Sequence, residues 1–147
     1  MSTKPETILR QEFVKAMGPH ISVEPIECGS VNPGFMDTAL AIHGARGLVP
    51  IELKVGKYVY GIDNLEAHVD IEYRADQNAK FTKLSALIRN VFVLIKIPDV
   101  GTYRYVLTRK YMEHYDVAML FETATWYGEN LAHLREVFLD GARRGAL

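Results

Sequence analysis

Residues 35–55 read F-M-D-T-A-L-A-I-H-G-A-R-G-L-V-P-I-E-L-K-V, and this stretch decides the fold. Two strand-like runs, 35–43 and 48–55, flank Gly44-Ala45-Arg46-Gly47, a pattern that predicts a β-hairpin. Side chains alternate across a strand, so Leu40, Ile42, Val49, Ile51 and Leu53 share one face. That face is wholly apolar and is the predicted core. With Ala45-Arg46 as a two-residue loop, Asp37 faces Lys54, Ala39 faces Glu52 and Leu40 faces Ile51. Asp37, Glu52 and Lys54 then gather on the opposite face, beside the small Ala39 and Ala41. A bulge at Pro50 is the alternative and would shift this register by one residue.

Outward from the hairpin, Thr3-Lys4-Pro5-Glu6 has the form of a capping box with proline in the first turn. Ile8, Leu9, Phe13, Val14 and Met17 follow at helical spacing until Gly18-Pro19 ends the helix. Residues 21–28 read as a short strand interrupted by Pro25, and 30–34 as a turn. Beyond the hairpin, 56–72 reads as irregular and 73–89 as a helix with Gln77, Phe81, Leu84 and Ile88 on one stripe. Residues 91–97 and 103–108 are predicted strands joined by a turn at 98–101. The last third reads as helical, with a break near 126–128. The expectation is one α/β (α+β) domain, a mixed sheet of about five strands flanked by helices, with a helical C-terminal extension at about 111–147.

The chain has 147 residues, 48% hydrophobic and 24% charged, which excludes a disordered segment. Its longest strongly apolar run, 91–97, is too short for a transmembrane helix. M-S-T-K-P-E-T lacks the apolar block of a signal peptide, so a cytoplasmic location is expected. A lone Cys28 forms no internal disulfide, and His20, His43, His68, His114 and His133 are scattered without metal-ligand spacing. They are expected to be structural or exposed. Neither a phosphate-cradling glycine loop nor a G-x-S-x-G elbow is present. The net charge of −1 hides a net of +6 over residues 74–110, between acidic flanks. Phosphate contacts and an unevenly charged solvated surface both account for that.

Two acids gathered on one face can hold a hard divalent cation, with waters in the remaining positions. A lysine beside them can orient the attacking water and stabilise charge developing on a phosphodiester. The plainer alternative is a salt bridge across a hairpin, worth little to stability.

Gly34-Phe35-Met36-Asp37, then Glu52-Leu53-Lys54, then Arg74-Ala75-Asp76-Gln77 on the following helix, resembles the PD-(D/E)XK nuclease superfamily. The likeness is above all to its Holliday-junction-resolvase and VRR-NUC branches, and it covers about residues 6–108. Met36 departs from the pattern, which usually has proline there. The resemblance implies a restriction-endonuclease-like core. It implies Asp37 and Glu52 as metal-binding carboxylates, Lys54 as the catalytic lysine and Gln77 as the amide ordering the site. It also implies a metal-completing acid on the first helix, for which Glu12 is the best match and Glu24 or Glu27 the substitutes. Mg²⁺, with Mn²⁺ as a possible substitute, is the implied cofactor. Arg74, Lys80 and Lys83 are candidates for contact with DNA phosphates.

The function expected from this resemblance is a metal-dependent DNA endonuclease acting on branched DNA, as a homodimer whose two sites cut two strands. A restriction-type or end-processing nuclease on the same core is one alternative. The other is a non-catalytic nucleic-acid- or protein-binding module with a nuclease-like fold.

Overall fold

The computed structural model describes residues 4–25, 38–61, 66–98 and 103–147. The chain opens with α1 (Lys4–Met17), a 3-10 turn (Gly18–His20), β1 (Ile21–Pro25), β2 (Thr38–Ile42) and β3 (Val49–Val55). There follow β4 (Lys57–Val59), β5 (His68–Asp70), α2 (Ala75–Leu87), β6 (Phe92–Pro98) and β7 (Tyr103–Thr108). Last come β8 (His114–Asp116), α3 (Val117–Thr123), β9 (Trp126–Gly128) and α4 (Leu131–Arg143). The fold is α+β, with a six-strand mixed sheet ordered β1-β2-β3-β6-β7-β9 and a three-strand sheet ordered β4-β5-β8. In the large sheet β3 and β6 pair in parallel, and the other neighbours are antiparallel. A parallel pair needs a crossover connection, which β4, β5 and α2 supply.

The large sheet is covered on both faces. On one, Leu9, Phe13 and Met17 of α1 and Leu131, Leu134 and Phe138 of α4 pack against Leu40, Ile42, Val49, Ile51, Leu53, Phe92 and Leu94. Spacing of four residues puts the three α1 side chains on one stripe, and each such burial contributes roughly 1.5–3 kcal/mol. On the other face, Phe81, Val69, Ile71, Tyr111, Tyr115 and Leu120 pack against Val93, Ile95 and Val106. Burial on both sides explains why β6 reads as an unbroken apolar run apart from Lys96. Among the described residues no helix is long and apolar enough to cross a membrane.

Several expectations need correction. The hairpin register is Thr38 with Ile51, Ala39 with Pro50 and Leu40 with Val49, two residues away from the predicted pairing. No two-residue loop forms at Ala45-Arg46. The strands end at Ile42 and resume at Val49, and Gly44 turns the chain at φ +89°. Because the shift is even, the described side chains of both strands keep their predicted faces.

Residues 56–72 are not wholly irregular, since β4 and β5 lie within them and build the small sheet with β8. The C-terminal third carries the expected helices, α3 and α4, with the expected break at 126–128, but it is woven into the fold rather than appended to it. It supplies β8, adds β9 to the edge of the large sheet beside β7, and buries α4 in the core. The helix predicted over 73–89 spans Ala75–Leu87, and α1 leaves Ile8 and Val14 exposed. Thr3, the predicted turns at 30–34 and 99–101, Glu27, Cys28 and the Gly34–Asp37 motif lie outside the described residues.

Candidate active site

Strand β3 alternates as the sequence predicts. Ile51 and Leu53 enter the core beneath α1 and α4, which sends Glu52 and Lys54 to the face covered by α2. That face is roofed, so both side chains are buried, Glu52 at 6% and Lys54 at 3% exposure. Gln77, in the first turn of α2, points down onto them and is itself buried.

The three side chains form one hydrogen-bonded unit. Lys54 Nζ donates to Gln77 Oε1 at 3.0 Å, and Gln77 Nε2 donates to Glu52 Oε1 at 3.3 Å. Lys54 Nζ lies 3.9 Å from Glu52 Oε1 and 4.0 Å from Glu6 Oε1. A buried amide needs partners at both ends, and this one spends its oxygen on the lysine and its nitrogen on the carboxylate. The lysine therefore stands between acids from two elements, β3 and α1, in a setting where desolvation strengthens each charge contact.

Tyr111 completes the unit from the chain after β7. Its hydroxyl donates to Gln77 Oε1 at 2.8 Å and accepts from the Arg74 backbone N–H at 3.3 Å. Burial pushes the phenol up to about 12, with the Glu52 charge acting in the same direction. At neutral pH it is therefore a hydrogen-bond donor. Its ring packs against Tyr73 and Phe81, with centroids at 5.5 and 5.7 Å.

The structure thus brings together Glu52, Lys54 and Gln77 of the predicted residues, while Asp37 lies outside the described ones. Glu12 is not among them. It faces the other side of the sheet, where it pairs with Lys96 Nζ at 2.5 Å and accepts from the Tyr105 hydroxyl at 3.3 Å. Burial, with Glu12 adding to it, raises the Tyr105 phenol to about 12. The α1 acid that approaches Lys54 is Glu6. Glu24 is exposed on edge strand β1 and takes a hydrogen bond from Ser22.

Arg74 is half exposed and paired with Asp76 at 2.7 Å, Lys80 is half-buried and Lys83 is exposed, all at or along α2. Sequence reasoning missed Glu6 and Tyr111. Glu6 had been absorbed into the capping box, and Tyr111 reaches the site only through the tertiary fold. Among the described residues, the one group of three metal-ligating side chains lies elsewhere, at His68, Asp70 and His114. This corrects the expectation of scattered histidines.

The chain matches no protein-family model, and neither the curated proteins nor the solved structures return a match.

Proposed function

We propose that this protein is a metal-dependent DNA endonuclease that hydrolyses phosphodiester bonds and acts on branched, Holliday-junction-like DNA. The observation that carries the reading is the buried Glu52–Lys54–Gln77 unit with Glu6 4.0 Å from Lys54 Nζ. An E-x-K strand joined to a glutamine in the first turn of the next helix is the constellation that the resemblance implies. A mixed sheet flanked by helices agrees with the restriction-endonuclease-like core it implies. Glu6 takes the part of the first-helix acid in place of Glu12.

Glu6 and Glu52 each bring a carboxylate oxygen to about 4 Å from Lys54 Nζ, and with Asp37 as the further acid they are the oxygen donors that would hold Mg²⁺ or Mn²⁺. Bound there, the cation supplies Lewis-acid polarisation of the scissile phosphate and a water of lowered pKa. The remaining chemistry belongs to the chain. Gln77 Nε2 fixes the Glu52 carboxylate and its Oε1 fixes Lys54, so neither needs to reorganise when substrate arrives. Lys54 then presents its other N–H groups to the attacking water and to the negative charge gathering on phosphorus. The water oxygen bonds to phosphorus as the bond to the leaving sugar oxygen breaks, giving one hydroxyl end and one phosphate end. Arg74, Lys80 and Lys83 hold the backbone of the duplex arm. A homodimer presenting two such sites cuts two strands.

The test is cleavage of a labelled four-way junction and a matched linear duplex in Mg²⁺ or Mn²⁺, by wild type and by Lys54→Met. Paired nicks in the junction, lost with chelator and reduced at least on the order of a hundredfold in the variant, are expected. Junction binding without cleavage in either metal overturns the enzyme in favour of a binding module. Equal cutting of linear duplex keeps the nuclease and removes the junction preference.

A further inference from the structure

We propose that His68, Asp70 and His114 form a binding site for a divalent transition-metal ion of the zinc class, at the seam between β5 and β8. The site shares no residue with the Glu52 unit, and the proposal is independent of the nuclease reading.

The pairing of two short strands builds it. Asp70 and His114 are direct cross-strand partners, and His68 stands two residues before Asp70, on the same face of β5. The residues between them, Val69 and its partner Tyr115, point the other way and are fully buried in the core. The backbone that presents the three ligands is therefore anchored, while the ligands stand at the surface. His68 and Asp70 are about one-third exposed, and His114 is 62% exposed.

Two imidazole nitrogens converge on one carboxylate oxygen. Asp70 Oδ1 lies 2.6 Å from His114 Nδ1 and 3.3 Å from His68 Nε2, and one ligand atom from each residue falls within 4.8 Å of the others. A tetrahedral zinc ion with bonds of roughly 2.0–2.1 Å separates its ligand atoms by roughly 3.3 Å. The His68–Asp70 spacing already has that value, and His114–Asp70 must open by less than about 1 Å. His114, 62% exposed, is the ligand with room to turn, and the same turn has to bring the two ring nitrogens, now within 4.8 Å, to that spacing.

The second nitrogen of each ring has an oxygen nearby, within reach of the hydrogen bond that orients metal-bound histidines. His68 Nδ1 lies 3.4 Å from the Glu66 carbonyl, so with Nε2 on a metal ion the remaining ring N–H would face that oxygen. His114 Nε2 lies 3.9 Å from Glu113 Oε1. Two nitrogens and one oxygen select a borderline metal such as Zn²⁺, Co²⁺ or Ni²⁺, whereas the all-oxygen set of Glu6 and Glu52 suits Mg²⁺. Three protein ligands leave a coordination position for water. The bound ion ties β5, in the crossover that leads to α2 and Gln77, to β8, which follows directly on Tyr111.

The experiment is titration of the full chain with Zn²⁺ by calorimetry in excess Mg²⁺, with Co²⁺ visible absorption as a spectroscopic readout and thermal unfolding beside it. One equivalent of metal, a Co²⁺ d–d band and a rise in Tm that chelator abolishes are expected. His114→Ala and His68→Ala each weaken Zn²⁺ binding at least roughly tenfold, while Glu52→Gln leaves it unchanged. Absence of Zn²⁺ binding to wild type overturns the proposal. So does wild-type affinity in either histidine variant, or loss of the band in Glu52→Gln alone. Circular dichroism of each variant separates lost ligation from lost folding, and His114→Gln supplies a second, milder change at the most exposed ligand.

Discussion

Lys54 is held by an amide and lies near two carboxylates, yet those carboxylates belong to different elements, and only one of them was visible in the local pattern. Glu52 is legible because it sits two residues from Lys54 on a strand with a clean apolar face. Glu6 and Glu12 are six residues apart on α1, which puts them about 120° apart around the helix. Only one can look toward Lys54, and sequence spacing alone does not say which. Glu12 borders the apolar stripe, but its partners are Lys96 and Tyr105 on the far side of the sheet. On the proposed nuclease reading, Glu6→Gln is expected to lower DNA cleavage on the order of tenfold to a hundredfold without loss of fold. On the same reading, Glu12→Gln should cleave at near the wild-type rate but lose about 1–3 kcal/mol of stability, because it leaves the buried Lys96 ammonium without its carboxylate. Parallel cleavage assays and urea midpoints decide the matter, and the reverse ranking restores Glu12 to the site. Gln77 was readable as a polar residue on an apolar stripe. Tyr111 was not, because a phenol after a strand carries no local mark of the amide it will meet.

At the scale of elements, what survived from sequence to structure is what period alone determines. The β2–β3 faces came out as predicted, whereas the register did not, since an apolar alternation is unchanged by a slip of two residues. Strands β4, β5, β8 and β9 have three residues each, too few for any alternation to emerge. Their existence depends on long-range pairing, and Gly56 shows how closely the two sheets approach. Its N–H donates to the Lys96 carbonyl at 2.8 Å as β3 gives way to β4. A Cβ at this position would stand 2.6 Å from Val69 Cγ1 and 3.0 Å from Ile95 Cγ2, both in the core on the α2 side. Gly56→Ala is expected to cost about 1–3 kcal/mol, because a packed core must shift to admit the methyl group. Chemical denaturation measures this. An unchanged midpoint would mean that the small sheet is not packed against the large one as described. Gly47→Ala is the control, since nothing lies within 4 Å of its added Cβ.

Over the whole molecule, charge and titration follow burial more than composition. The basic middle segment is partly engaged within the fold, with Lys96 on Glu12, Arg74 on Asp76 and Arg109 donating to Asn90 at 3.0 Å. The sequence count of +6 therefore overstates what is free to meet phosphates. The same burial sets an alkaline limit on stability. Tyr105 lies in the core under α1, and Tyr111 lies in the core under α2. Both phenols are raised to about 12, chiefly by desolvation, and burial raises Tyr115 further. In the unfolded chain these phenols release their protons near roughly pH 10. Between that pH and the folded values the native state holds more protons than the unfolded state, so stability falls as pH rises. Below that window their contribution is fully present. Denaturation midpoints measured from roughly pH 8 to 11 should be level at first and then decline. Tyr111→Phe lowers the plateau, because Gln77 loses a hydrogen bond, but it makes the alkaline decline shallower, because one raised phenol is gone. A decline equally steep in wild type and variant would assign the alkaline limb to the lysines and remove Tyr111 from it.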